Sequence, residues 1–158
     1  MRAVAPRIES SQLPVRDAVA TYPAALAERD PCQVLSVVGG EVDHWDINRT
    51  RPYECDFGIW RNGFPEVVPM QVTLEPQIVD IATDGRERRD RNGVEIYIDT
   101  AYCSAIAFVG APMQRKLVGG DFVDAGAMVI RPAVVVDSGG QNCDAVADVA
   151  VAAAKLYA

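Results

Sequence analysis

The sequence predicts an α+β domain: a mostly antiparallel sheet flanked by N- and C-terminal helices and fastened by two disulfides. Three observations carry that expectation. Apolar residues recur at helical spacing near the two ends of the chain. Strand-like runs fill the middle, and strands grouped between helices, without βαβ alternation, are the α+β order. Four cysteines lie far apart, an even number that suits long-range cross-links. The 158 residues make one ordinary domain, which buries roughly 68–70% of its unfolded surface. With 49% apolar and 23% charged residues the chain is globular rather than disordered.

Residues 1–14 are polar and irregular and read as a linker or tail, so the single domain is expected over 15–158. Val15, Ala18, Val19, Tyr22, Ala25 and Leu26 recur at helical spacing, with Pro23 imposing a kink or a split into two short helices. Asp30 to about Val38 reads as a second short helix. Asp30 is its N-cap, Pro31 its first helical residue and Gly39-Gly40 its stop. A polar stretch with Asp43, Asp46, Arg49 and Arg51 follows.

Strands then begin. Cys55–Trp60 leads to the turn signal Asn62-Gly63. Val67–Leu74 is Val-rich, and Pro69 near its start suggests an edge strand or a bulge. Ile78–Ala82 continues it or forms a short strand, and Thr83–Gly93 reads as a charged loop. Val94–Thr100 alternates cleanly, with Val94, Ile96 and Ile98 on one face. Ala105–Val109 and Ala127–Val136 are further strands, the second split by Pro132. After the turn Asp137-Ser138-Gly139-Gly140, Asn142 caps a closing helix from Cys143 to about Tyr157.

The cysteines are Cys32, Cys55, Cys103 and Cys143. Zinc would call for close ligand pairs or several histidines, and His44 stands alone, so no metal and no cofactor is expected. Of the three pairings that four cysteines allow, Cys32–Cys55 and Cys103–Cys143 are favoured, because each ties a helix start to the sheet. Each closed loop is worth about 3–4 kcal/mol on the chain-entropy model. The rival readings are redox chemistry, since Cys32 and Cys143 fall in first helical turns where thiol pKa drops, and four buried free thiols in a cytosolic protein. Disulfides imply an oxidising compartment. Met1-Arg2-Ala3 opens no signal peptide, so a signal or membrane anchor is expected upstream of this chain.

Charge narrows the partners. A net charge of -7 argues against nucleic acid or an anionic membrane as the main partner. No apolar run approaches the roughly 20 residues of a membrane span. All cations but Lys116 and Lys155 are Arg, a bias that points to a GC-rich genome.

Asp137-Ser138-Gly139-Gly140 resembles the nucleophile loop of chymotrypsin-like serine proteases. The chain order His44, Asp80 or Asp84, Ser138 matches that family. Val136 stands where the family has Gly, Asp43-His44-Trp45 is not its histidine context, and only a helix follows Ser138. A turn before a helix favours the same residues without catalysis. His44 alone offers pH-sensing chemistry in a polar loop. Asp84 to Arg91 carries Arg86, Arg88, Arg89 and Arg91 among three acids, a candidate site for a phosphate or carboxylate, or else a solvated hairpin tip with internal ion pairs. Trp45 and Trp60 suit sugar stacking or the core. Gly39-Gly40 and Gly119-Gly120 form no phosphate loop, and Asn48-Arg49-Thr50 matches a glycosylation triplet.

Asp30-Pro31-Cys32-Gln33-Val34-Leu35 resembles the Asp-Pro-Cys-x-Leu-Leu start of small extracytoplasmic actinobacterial domains, which include cell-envelope lipoproteins and sensor domains of receptor Ser/Thr kinases. Those domains also carry a Cys-x-aromatic-x-x-Trp-like strand, matched by Cys55-Asp56-Phe57-Gly58-Ile59-Trp60, and a Cys opening an Ala-rich helix, matched by Cys143–Asp148. The likeness spans about residues 24–158. It implies two disulfides, a helix-flanked antiparallel sheet, and binding or sensing without catalysis. The chain departs in Val34-Leu35 for Leu-Leu and in lacking the lipobox or membrane helix expected upstream.

The function expected is a non-catalytic extracytoplasmic binding or sensor module of the cell envelope, with an envelope ligand or protein as partner. The alternative is a structural accessory subunit of a membrane or envelope complex; a Ser138 protease is the third reading. Candidate binding residues are Arg86, Arg88, Arg89, Arg91 and Trp45. A sensor calls for a concave pocket with converging polar groups, an accessory subunit for an apolar patch above a few hundred Å².

Overall fold

In the computed structural model, which describes residues 25–47, 51–61, 65–114 and 129–158, the chain enters through two 3-10 helices, Ala25–Glu28 and Pro31–Ser36. Asp30 caps the second as its sequence requires, its carboxylate accepting the Cys32 N–H at 2.9 Å, with Pro31 buried in the first turn. The helix stops before Gly40, whose φ of +119° and distance of 2.6 Å from an added Cβ to the Trp60 carbonyl admit only glycine.

The sheet comprises β1 (Glu41–Ile47), β2 (Glu54–Trp60), β3 (Val68–Ile78), β4 (Glu87–Arg91), β5 (Val94–Asp99), β6 (Ser104–Phe108), the two-residue β7 (Met113–Gln114) and β8 (Val129–Asp137). Its order is β1-β2-β3-β8-β6-β5-β4, with β7 paired to β8, and every pairing is antiparallel. A helix over Cys143–Tyr157 lies against β5, β6 and β8. The structure thus shows the α+β class, with both disulfides in the favoured pairing. Cys32–Cys55 joins the capped 3-10 helix to β2, and Cys103–Cys143 joins the residue before β6 to the first residue of the helix.

Register explains the two faces of the sheet. Cys55, Phe57 and Ile59 of β2 stand opposite Val72, Met70 and Val68 of β3. Val72 and Leu74 then face Val136 and Val134 of β8, and these face Ala105 and Ala107 of β6. All are buried in one core with Ile96 and Ile98; Val146, Val149, Ala150 and Ala153 of the helix cover its β5, β6 and β8 part, and the 3-10 helix Pro31–Ser36 covers β2 and β3. The small side chains of Ala105, Ala107, Ala150 and Ala153 let helix and sheet approach closely. Each Val, Ile or Phe so buried contributes about 1.5–3 kcal/mol. Only Asp144, Asp148 and Lys155 of the helix are exposed. Arg91 of β4 and Arg61 after β2 grip this stripe, with N–O distances of 2.9 and 2.5 Å to Asp148. The buried Tyr157 hydroxyl shares its one hydrogen between the Asp30 and Pro31 carbonyls, at 2.9 and 3.0 Å, and burial pushes its phenol up to about 12.

The structure corrects five local expectations. The polar stretch after Gly40 contains β1, an edge strand whose outward positions are free to be polar. The charged loop contains β4, closed onto β5 by Asn92-Gly93, both at positive φ (55° and 76°), the pair a tight hairpin favours. Val79–Thr83 is a short helix, not a strand; it buries Ala82 on Ile106 and Ala133. Despite Pro69, β3 is central, not an edge. Likewise Pro132 does not split β8: it stands opposite Pro76, which also lacks an N–H, and its ring lies where a Cβ on Gly110 would come within 2.7 Å. The tail 1–14, the Val15 helix up to residue 24, the Asn62-Gly63 turn and the Asn48-Arg49-Thr50 triplet lie outside the described residues.

Candidate functional site

The second face of the sheet is half covered. Toward β5 and β6 it is apolar, with Ile106 and Ala133 beneath the short helix and Phe108 contacted by the Tyr97 ring at 5.8 Å and the Arg131 guanidinium at 4.8 Å. Toward β1, β2 and β3 it is polar and open.

A bulge in β1 shapes the open half. Val42 pairs with Ile59 but His44 pairs with Gly58, so Asp43 is the extra residue. Asp43 accepts from His44 Nδ1 at 2.8 Å and from the Trp60 indole at 3.1 Å. A carboxylate only accepts, so Nδ1 carries the hydrogen of this bond. The His44 bond, then the Trp60 bond, hold the Asp43 carboxyl below its usual range. The imidazole lies directly on Gly58: a Cβ there would meet His44 Cε1 at 2.6 Å and Val67 Cγ1 at 2.5 Å. Gly58 is therefore the floor that lets His44 lie flat.

Beside it runs a polar row across the strands. Asp46 stands opposite Asp56, Asp56 opposite Gln71, Gln71 opposite Asp137, and Asp137 opposite Ser104. Gln71 Nε2 donates to Asp56 at 2.9 Å and to the buried Glu54 at 3.0 Å, and Glu54 also pairs with Arg51 at 3.2 Å. Asp137 Oδ1 accepts the Gly139 N–H at 2.6 Å. Together His44, Asp56, Gln71, Asp137, Ser138 and Gly139 border a cleft of about 350 Å³.

The protease candidates do not form a relay. Ser138 is buried and its hydroxyl donates to the Gln141 carbonyl, with the Cys103 carbonyl at 3.4 Å. The carboxylate on His44 is Asp43; Asp80 and Asp84 lie on and after the short helix, beyond the polar half. Ser138 therefore anchors the turn in front of the Cys103–Cys143 bridge.

The four arginines do not converge either. Arg86 donates to the Ser104 hydroxyl at 2.9 Å, Arg88 to Glu95 at 2.6 Å, Arg89 to Glu87 at 2.8 Å, and Arg91 to Asp148 at 2.9 Å. Arg88 and Arg89 make the internal pairs of the solvated hairpin, while Arg86 and Arg91 tie it to β6 and to the helix. Arg89 holds the Glu87 carboxyl low, and Tyr97 with Arg88 does the same to Glu95. Trp45 is 58% exposed but pairs with Phe57, which puts it on the opposite side of the sheet from His44. The tryptophan on the cleft side is Trp60, 41% exposed. Asp56 and Gln71 were missed by sequence reasoning. Their signal was the polar phase of alternating strands, Glu54-Asp56-Gly58-Trp60 and Gln71-Thr73.

No protein-family model, curated protein or solved structure matches the chain. Among the described residues no group of His, Cys, Asp and Glu is placed to hold a metal ion, and no helix is long and apolar enough to cross a membrane. The two disulfides suggest an oxidising, non-cytoplasmic compartment.

Proposed function

We propose that the chain is a non-catalytic binding or sensor module of the cell envelope, working outside the cytoplasm and taking its ligand in the open-face cleft. The observation that carries this reading is the convergence of His44, Asp56, Gln71 and Asp137 on one concavity beside a serine whose hydroxyl is already committed. The disulfide pair supports the compartment. The likeness of Asp30-Pro31-Cys32 and Cys55–Trp60 to envelope domains supports the setting. An accessory subunit would call for one large apolar patch. Among the described residues the exposed large apolar side chains Val37, Trp45, Tyr53, Trp60, Ile81 and Tyr102 instead come from separate strands, helices and turns.

The test is amide mapping by NMR against size-fractionated cell-envelope extract, with a serine-directed fluorophosphonate added separately. The expected result is shifts grouped at Asp56, Gln71, Asp137 and Gly139, and no label on Ser138. Shifts confined to other surfaces, or a labelled Ser138, would overturn the reading.

A further inference from the structure

We infer that the cleft takes a primary ammonium group, as carried by a Lys side chain or a small alkylamine. This rests on the cleft being a ligand site and goes on to name the ligand's chemistry.

The atoms left over decide it. Gln71 Nε2 spends its two hydrogens on Glu54 and Asp56, so its amide offers only Oε1. Asp56 uses Oδ1 on Gln71, and Asp137 uses Oδ1 on Gly139, so each keeps Oδ2. The Gly139 N–H, the Ser138 hydroxyl and His44 Nδ1 are all engaged. The spare polar atoms are thus acceptors, and a ligand that only donates fits them. An ammonium has three donors and no acceptor. A hydroxyl would leave the carboxylate charge uncompensated, and an anion would be repelled.

The ion pairs point the same way. Elsewhere in the described residues Arg51, Arg61, Arg88, Arg89 and Arg91 each neutralise a carboxylate, but no cation pairs with Asp56 or Asp137. Geometry selects ammonium over guanidinium. A guanidinium fork is best met by both oxygens of one carboxylate, whereas here the acceptors come one each from three strands, Asp56, Gln71 and Asp137, an arrangement that suits the three diverging donors of a compact ammonium. Asp56 and Asp137 sit on β2 and β8, on either side of Gln71 on β3. A compact charge on Gln71 Oε1 stands between them. Along the same face of β2, outside the border of the cleft, Trp60 is 41% exposed with its indole N–H donated to Asp43, and exposed indole suits an alkyl stem.

The experiment titrates the whole chain with n-pentylamine, with acetyl-Gly-Lys-Gly-amide, and with the Arg and norleucine versions of that peptide, following the Gln71 and Gly139 amides. Both amines are expected to shift these amides saturably, and norleucine to leave them unmoved. Asp56→Asn and Asp137→Asn keep the internal acceptor and are each expected to weaken amine binding about tenfold. Asp46→Asn, on the same row but outside the cleft, is expected to stay within about twofold. Tighter binding of the Lys peptide than of pentylamine identifies a peptide ligand, and equal binding a free amine. If norleucine binds as well as Lys, if Arg binds tighter than Lys, or if neither amine moves the cleft amides, the inference falls. In that last case, envelope fractions that still shift the cleft leave the binding module standing; if they too are silent there, both fall.

Discussion

Phe57 and Gly58 are neighbours on β2 that face opposite sides of one sheet, and the two sides follow different rules. Phe57 is 1% exposed, packed among the side chains that meet the closing helix. Gly58 has no side chain, and the space it leaves is filled by the imidazole of His44. The helix side is a continuous apolar layer whose contribution is stability. The open side combines a bulge, a glycine floor and two carboxylates, Asp56 and Asp137, that have no counter-ion among the described residues, arrangements that do little for stability. Asp46 directly opposite Asp56 is unfavourable by the cross-strand rule. The comparison separates what holds the fold from what the fold presents.

The sharpest way to break that comparison is to remove a side chain from each side. Phe57→Ala is expected to cost about 3–5 kcal/mol by chemical denaturation. Because typical domains are stable by about 5–15 kcal/mol, this variant should unfold at much lower denaturant while the surviving folded fraction keeps its cleft. Gly58→Ala is expected to cost less, about 1–3 kcal/mol for overpacking, yet to displace His44 and Val67 and so alter the cleft. Near-native His44 ring shifts in Gly58→Ala would show that the glycine does not set the imidazole's position.

These two residues also show what was legible beforehand. Phe57 could be placed, because alternation through Cys55, Phe57 and Ile59 names a buried phase wherever the strand lies. The disulfide pairing could be placed because Asp30-Pro31 and Asn142 mark helix starts. The cleft could not. Its residues come from β1, β2, β3 and β8, and their meeting depends on register, which alternation does not specify across strands distant in sequence. β1 itself was hidden because an edge strand that carries Glu41, Asp43, His44 and Asp46 has the composition of a loop. β4 was hidden by its charge, although Asn92-Gly93 before the alternating Val94 run was a hairpin signal of the kind that Asn62-Gly63 was credited with. The arginines drew attention as a cluster, but strand alternation sends Arg88 and Arg89 to opposite faces and gives each its own carboxylate.

Titration sharpens the same contrast at smaller scale. On the helix side, the Tyr157 phenol is raised to about 12 by burial. Its neutral form is favoured by folding, so its contribution is fully present below the ordinary tyrosine value near 10 and is lost as pH rises through about 12. Ultraviolet titration of phenolate should find one tyrosine ionising last and together with unfolding, and Tyr157→Phe should remove that step. An unchanged last step in the variant would place the slow tyrosine elsewhere.

On the open side the effect has the opposite sign and is the smallest. Asp43 is held below its usual range by His44 and then Trp60. Its charged form is favoured by folding, so its contribution is present above the ordinary aspartate value and fades as pH falls through the lowered one. The carboxylate is solvent-facing, and salt screens it. The global unfolding midpoint should therefore hardly move when Asp43 protonates. What should move is local: the indole N–H of Trp60 loses its charged acceptor, and its NMR resonance should shift along an acid titration curve that lies below the aspartate norm. Asp43→Asn keeps a carbonyl oxygen for one partner but not the charge, and should abolish that curve while leaving the Phe57 side of β2 unchanged. A large loss of global stability in Asp43→Asn would mean that the bulge is part of the load-sharing core, and that the two faces of the sheet are less independent than their packing shows.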